Sequence, residues 1–341
     1  FYPVRDAGKL EQQRRAEQPR KPVACPAGPK PKGVLWVVVD ALRWDAFTPQ
    51  KYPALGEFAK KATTFERAYA PAHSTFSSFA TWLPKLPDEA GIPWTILNVG
   101  HLRFQLEVVL GSDIPVLEAG DSCTNEGKRL GELASGLEPG SLALAYFPVT
   151  HDPYLCTGPD QSPRQCYDQA TDCVAEQLAD LYQWAYDNPE WAIIITSDHG
   201  ESFHEKNVRY HAIALWEEAV RVPLYVRAPG WEQGKVVDTA VSNAWLSGTI
   251  GCWLADDSAA FGAADGVLTD SPAPAPFALQ GFSVYFGTAH WAIRETAVID
   301  WPYKLIVDRD TDYRQLFDLQ ADPDESRNLA TEQPDRCLLY T

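Results

Sequence analysis

An α/β fold with a largely parallel central sheet, helices on both of its faces and a smaller C-terminal subdomain is what the sequence predicts, and three observations carry that expectation. Two strongly apolar runs end in acids, GVLWVVVD at 33–40 and WAIIITSD at 191–198, as strands buried on both faces do when they open into loops. Between them lie stretches with apolar residues at helical spacing, so strand and helix alternate along the chain. Beyond residue 258 the pattern changes to short runs separated by turn residues, which reads as antiparallel strands. The expected division is 1–32 as a basic, Pro-rich linker, 33–257 as the sheet-centred domain and 258–341 as the C-terminal subdomain.

Gly33 to Asp40 is read as a central strand presenting Asp40 at its edge, with Arg43 and Asp45 in the following loop. Tyr52 to Ala62 carries Pro53 near its start and Leu55, Phe58 and Ala62 on one side, so a helix is expected. A strand over Thr64 to Tyr69 follows. In Ala70 to Leu83, hydroxyl residues lead into a helical pattern, which puts Ser74 or Thr75 at a helix N-terminus among unpaired N–H groups. That position suits ordinary capping, and it equally suits a nucleophile attacking an anionic centre. Trp94 to Val99 and Leu142 to Phe147 read as strands, with His101 and His151 just past their ends. Val174 to Ala185 reads as a crossover helix, feeding the Ala192 to Ile195 strand.

That last strand is followed by Asp198 and His199, a carboxylate and an imidazole beside Gly200, which is a compact pair of metal ligands and also a common loop triplet. Glu201, His204, Lys206 and His211 make the ensuing loop rich in ionisable groups. A helix over Ile213 to Arg221 and a strand over Val222 to Arg227 are then expected. Ala240 to Ala255 suggests another helix, Ser258 to Pro276 a loop, and Ala297 to Asp300, Tyr303 to Asp308 and Gln315 to Leu319 a strand meander.

Composition narrows the function classes. With 341 residues and 45% apolar content the chain can bury a full core, and a formal charge of −17 disfavours nucleic acid as a partner. An anionic substrate would need local positive charge, which a metal supplies. No run reaches the roughly 18 residues that span a bilayer. The sequence starts at Phe1 and contains no Met, so a piece of a longer, membrane-anchored protein is expected. None of the seven cysteines has a zinc-type spacing. A Cys156–Cys166 disulfide fits an extracytoplasmic compartment, periplasmic or extracellular, while unpaired buried thiols fit the sequence equally.

Taken in order, VVVDALRWD, AYAPAHSTFSSFATWL, THDPY, TSDHGESFHE, YHAIALWEEAVRVPLYVRAPG and LFDLQADPDESRNLA resemble the sulfatase branch of the alkaline phosphatase superfamily from about Gly33 to Ala330. The resemblance implies an alkaline phosphatase-like α/β sandwich with its active site at the carboxyl edge of the sheet, a catalytic domain over 33–257 and a small C-terminal α+β subdomain. It implies one divalent cation (Mn, Mg, Ca or Zn) on Asp40, Asp198 and His199, with the Thr75 hydroxyl as a fourth ligand. The nucleophile site, a Cys within C-x-P-S-R in typical sulfatases, falls on Thr75-Phe76-Ser77-Ser78-Phe79, so the formylglycine route is closed. Thr75 resembles instead the threonine of membrane-anchored phosphoglycerol and phosphoethanolamine transferases, with Ser74 as the alternative one residue away. The family's Arg is replaced by Phe79, which departs from sulfatase activity. His151 and His211 match positions that contact the transferred group or protonate the leaving oxygen. His204, Lys206, His101 and Tyr154 are candidate substrate-binding residues.

Three functions follow. The first is a metal-dependent hydrolase of phosphate or sulfate esters, including phosphodiesters, acting through a covalent Thr75 intermediate. The second is a phosphotransferase moving a lipid head group onto a cell-envelope acceptor, with a lipid or membrane partner reached through an N-terminal anchor. The third is a non-catalytic lipid-binding or regulatory module.

Overall fold

The computed structural model describes residues 23–99, 116–120, 131–132, 134–154, 156, 158, 160–262, 266–286 and 290–339. Its centre is an eight-stranded sheet. Strand β1 (Val34–Val39) pairs in parallel with β6 (Leu142–Phe147) on one side and β7 (Ala192–Ser197) on the other. Beyond β6 come β4 (Trp94–Val99) and β5 (Val116–Gly120), also parallel. On the other flank β9 (Leu224–Arg227) runs antiparallel to β7 and pairs with β2 (Thr63–Phe65), which β10 (Val236–Val237) follows at the edge.

Every residue of β1, β6 and β7 is buried, which is why these strands are apolar without alternation. Along β1 the side chains divide by parity. Val34, Trp36 and Val38 join one core with Phe79, Trp82, Leu246 and Ile250, while Leu35, Val37 and Val39 join the other with Leu55, Phe58, Val174, Leu178 and Leu181. Helices α1 (Pro53–Ala59) and α3 (Pro163–Asp187) thus cover one face, and α2 (Thr75–Trp82) and α5 (Trp245–Ala255) the other. The largely parallel α/β sheet expected from sequence is present.

Several boundaries differ from the expectations above, each for a local reason. Helix α3 starts eleven residues before Val174, at a Ser162–Gln165 capping box with Pro163 in its first turn. The Thr64 to Tyr69 strand is two strands in two sheets, because β3 (Ala68–Tyr69) leaves the large sheet to pair with β8 (Arg221–Val222) and β11 (Val241–Ser242). The expected Ile213 to Arg221 helix shrinks to one turn, α4 (Glu217–Val220), and Pro223 separates β8 from β9. The C-terminal sheet holds four antiparallel strands, β12 (Phe277–Phe286), β13 (His290–Asp300), β14 (Tyr303–Asp308) and β15 (Arg314–Asp318), where the expected meander has three and starts only at Ala297. One face of it, through Leu279, Ala297, Ile299, Ile306 and Phe317, continues the α2/α5-side core. A short helix, α6 (Pro334–Leu338), closes the described chain.

Cys156 and Cys166 form a disulfide, and a second one, Cys25–Cys252, pins the Pro-rich segment before β1 to α5. Cys173 is also disulfide-bonded, whereas Cys337 is a buried free thiol.

Candidate functional site

Because β1 and β7 are in parallel register with Val39 beside Ser197, the residues that follow them, Asp40 and Asp198, leave the sheet at the same level about one strand spacing apart. Both are fully buried. Helix α2 is aimed at the same edge. Ser74 occupies its N-cap without a side-chain capping bond, and Thr75 is its first residue. Ser78, one turn on, donates to the Asp198 carbonyl at 2.6 Å and locks the helix to β7.

Four side chains consequently meet. The Thr75 hydroxyl lies 3.1 Å from His199 Nε2 and 3.4 Å from Asp40 Oδ1. His199 Nε2 is 3.4 Å from Asp40 Oδ1 and 3.7 Å from Asp198 Oδ2. The imidazole is oriented by its other nitrogen, which donates to the Gly200 carbonyl at 2.8 Å and leaves the Nε2 lone pair facing the cluster. Gly200 is required there by space: a Cβ would stand 2.1 Å from the Glu218 carbonyl oxygen, since the Gly200 and Glu201 N–H groups bond back to α4.

The donor set fits a divalent cation. One ligand atom each from Asp40, Asp198 and His199 lie within 4.8 Å of one another, and they are two carboxylates and an imidazole, acceptable to hard and borderline cations alike. The sharper observation concerns Asp198. Its Oδ1 accepts from the Ala41 and His199 N–H groups, yet its Oδ2 is buried with no hydrogen-bond partner among the described residues. A buried carboxylate oxygen left bare costs free energy unless something positive meets it. Among the described residues no cationic side chain meets that oxygen: burial, then repulsion from Asp40, pushes the Asp198 carboxyl well above its usual range, and burial, then His211, pushes the His199 imidazole well below its own. A bound cation reverses the first preference, keeping Asp198 ionised, and reinforces the second, since a ligating imidazole is neutral.

Thr75 is only partly buried, as are His151 and His211, so the cluster opens toward solvent where these three residues lie, while the two carboxylates are fully buried. The His211 ring lies tilted 4.2 Å from that of His199 and edge-on 4.8 Å from that of His151. His211 Nδ1 meets the fully buried Glu201 at 3.3 Å. Burial lowers the His211 pKa, but that carboxylate outweighs it and the net shift is upward. His151 donates Nδ1–H to its neighbour's carbonyl at 2.6 Å.

The remaining sequence candidates fare differently. Ser74 is displaced by Thr75 as the hydroxyl that reaches the cluster. Lys206 is corrected from an anion-binding role, because Glu218 holds its ammonium at 2.8 Å and Glu325 approaches at 3.6 Å. Tyr154 is also corrected: it is buried and its hydroxyl donates inward to Glu201 at 2.8 Å, supporting His211 from behind. His204 is exposed at a left-handed position starting a tight turn. His101 lies outside the described residues.

Residues missed by sequence reasoning also belong to the site. Tyr146 donates to Asp40 Oδ2 at 2.6 Å, Thr150 donates to the Asp40 carbonyl, and Arg43 ties the Glu201 carbonyl to Glu205 and Asp45. Arg43, Asp45 and Glu201 enter the sequence reading as loop residues, and nothing in the sequence says which of them face each other. His73 is buried against Gly281 with neither ring nitrogen paired, and burial pushes its pKa down to about 3.

With this geometry in hand, comparison with known proteins is informative. A family model described as Sulfatase matches residues 122–255. Arylsulfatase K of Mus musculus is 29% identical over 155 residues, covering 42% of this chain and 27% of that protein, and arylsulfatase K of Danio rerio is 28% identical over 156 residues, covering 42% and 29%. The matched part of the chain thus spans under a third of the length of these relatives. Among solved structures, a phosphonate monoester hydrolase of Agrobacterium radiobacter superposes with a TM-score of 0.69 at 14% identity, covering 91% of this chain and 94% of that one. A 2-O GAG sulfatase superposes with a TM-score of 0.66 at 16% identity, covering 91% and 89%. The structural neighbours establish the shared fold, and the family-model and sequence matches make this chain similar to the sulfatase family over part of its length.

Proposed function

We propose that the protein is a metal-dependent hydrolase of phosphate or sulfate esters that works through a covalent Thr75 intermediate, with 33–257 as its catalytic part and 258–341 as a supporting subdomain. The observation that carries this reading is the convergence of a partly exposed hydroxyl on two buried carboxylates and an imidazole, one carboxylate oxygen being bare. Asp40, Asp198 and His199 would hold the cation, with Thr75 beside it. When bound, the cation lowers the pKa of the threonine hydroxyl and offsets the charge of the anionic ester.

The protein's own groups do the rest. Thr75, ionised, attacks phosphorus or sulfur, and the bond to the leaving oxygen breaks as that oxygen takes a proton from His211, whose charged form Glu201 supports. His151, edge-on to the His211 ring, would hold a non-bridging oxygen of the ester. The neutral His211 then accepts a proton from water as that water attacks the phospho- or sulfo-threonine. Thr75 leaves ionised and His211 charged, which restores the starting state.

Residual activity is expected to vanish in Thr75→Ala with 4-nitrophenyl phosphate, 4-nitrophenyl sulfate or bis(4-nitrophenyl) phosphate as substrate, while the circular dichroism and melting temperature stay at wild-type values. Turnover retained by Thr75→Ala rejects the nucleophile. Running the assay with an added alcohol reads transfer to a hydroxyl acceptor as an alkyl phosphate product. The disulfides support an extracytoplasmic location, since such bonds persist in oxidising compartments. Among the described residues no helix is long and apolar enough to cross a membrane.

A further inference from the structure

We infer that Tyr146 is the positioning residue of the site: its phenol fixes which oxygen of Asp40 is offered to the cation and to Thr75. The inference rests on the metal-dependent reading above. It starts from sheet register. Tyr146 lies beside Val38 on the neighbouring parallel strand, so the two side chains project from the same face of the sheet. Asp40, two residues beyond Val38, returns to that face one layer higher. A tyrosine is long enough to reach up that layer, where its hydroxyl donates to Asp40 Oδ2 at 2.6 Å.

The carboxylate is thereby divided. Oδ2 is occupied by the phenol, and Oδ1 faces Thr75 and His199, each at 3.4 Å. The phenol oxygen also interacts with the Thr75 hydroxyl itself, so one side chain touches both a proposed ligand and the proposed nucleophile. The remaining freedom of Asp40 is removed by its N–H, which donates to the Phe147 carbonyl at 2.9 Å, and by Thr150 on its carbonyl.

The phenol cannot swing away. Tyr146 is fully buried, and Phe79 packs edge-on against its ring at 5.9 Å, backed by Trp82 at 5.3 Å from Phe79. Phe79 stands one turn after Thr75 on α2, so the helix that delivers the hydroxyl also clamps the ring that holds Asp40. With no exposure, Tyr146 acts through Asp40 and Thr75 and not by contact with substrate.

Partners of this kind behind a metal ligand typically change affinity by about 10- to 100-fold when removed. The test is Tyr146→Phe, with Mn(II) affinity measured by titration on the full chain, kcat and KM measured with 4-nitrophenyl phosphate at saturating Mn(II), and a melting curve. The expected result is a Kd for Mn(II) raised by about 10- to 100-fold and a similar loss in kcat with little change in KM. Replacement of Tyr146 by 4-aminophenylalanine, which restores an N–H donor at the same place, should recover both. If Tyr146→Phe does not fold, 4-fluorophenylalanine fills the hydroxyl's space without a donor and is compared with the 4-amino variant. Wild-type Mn(II) affinity and kcat in either donor-less variant overturn the inference. A wild-type chain that binds no Mn(II) instead removes the reading on which it rests.

Discussion

At the scale of single residues, charge placement is decided by burial. Glu295 on β13 shows it away from the site. Its carboxylate accepts the Leu215 N–H at 3.0 Å, but burial dominates and raises its pKa from 4.5 to about 7. A carboxyl with a folded pKa above its unfolded one binds its proton more tightly in the native state, so stability falls as pH rises from about 4.5 to about 7 and is level above that. Glu295→Gln keeps an oxygen for Leu215 and removes the titration. It should therefore gain about 1–3 kcal/mol over wild type at pH 8, solvent screening of the partly exposed group trimming the figure, and gain nothing at pH 4. Urea denaturation at the two pH values checks this; an equal effect at both would mean that Glu295 titrates alike in the folded and unfolded chain.

At the scale of elements, an ion cluster joins α4, β14 and the loop after β15. Fully buried Lys304 bonds Glu217 at 3.1 Å and pairs with Glu325 at 2.9 Å, and Glu325 accepts the Glu217 N–H at 2.8 Å. Burial alone would lower the Lys304 pKa, but the two carboxylates overcome it and raise it. The segment ADPDESRN makes physical sense here: Asp322 caps Ser326 and Arg327, which turns Glu325 inward at a left-handed position. Lys304→Ala strands two buried carboxylates and should cost about 3–5 kcal/mol, whereas a replacement that leaves the denaturation midpoint in place would show the pair to be solvated.

This cluster also marks what a sequence can tell. Asp40 is legible because it directly follows a long apolar run, and Asp198 and His199 because they come just past the end of another, and in a parallel sheet such run ends gather at one edge. Thr75 was legible to within one residue, since hydroxyls ahead of a helical pattern mark a helix start without saying which one points inward. Tyr146 was hidden in LALAYF, where it reads as one more core aromatic; only the pairing of β6 with β1 brings it to Asp40. Lys206 was misread because the acid that claims it, Glu218, comes twelve residues later and across a fold in the chain. The one-turn α4 failed for a related reason, as helical spacing in ALWEEAV reports burial on one side and not backbone conformation.

At the scale of the whole molecule, the fold makes one edge of the sheet polar and secures everything behind it. The Cys25–Cys252 disulfide closes a loop of 227 residues, and in the chain-entropy account a closure that long removes about 5 kcal/mol of unfolded-state freedom as an upper figure. Replacing both cysteines by Ala should lower the melting temperature by several degrees while leaving the Mn(II) affinity unchanged, because the bond lies at α5 and not at the β1/β7 edge. A loss of metal affinity in that double variant would show that the N-terminal tether shapes the site.

The central claim is that Asp40, Thr75, Asp198 and His199 share one cation. Crystals grown with Mn(II), and measured at the manganese absorption edge, test it most directly. The prediction is a single anomalous peak bounded by Asp198 Oδ2, Asp40 Oδ1, His199 Nε2 and the Thr75 hydroxyl, absent in Asp198→Asn. An empty map at that place in the wild-type protein, or a peak that survives Asp198→Asn undiminished, would contradict it.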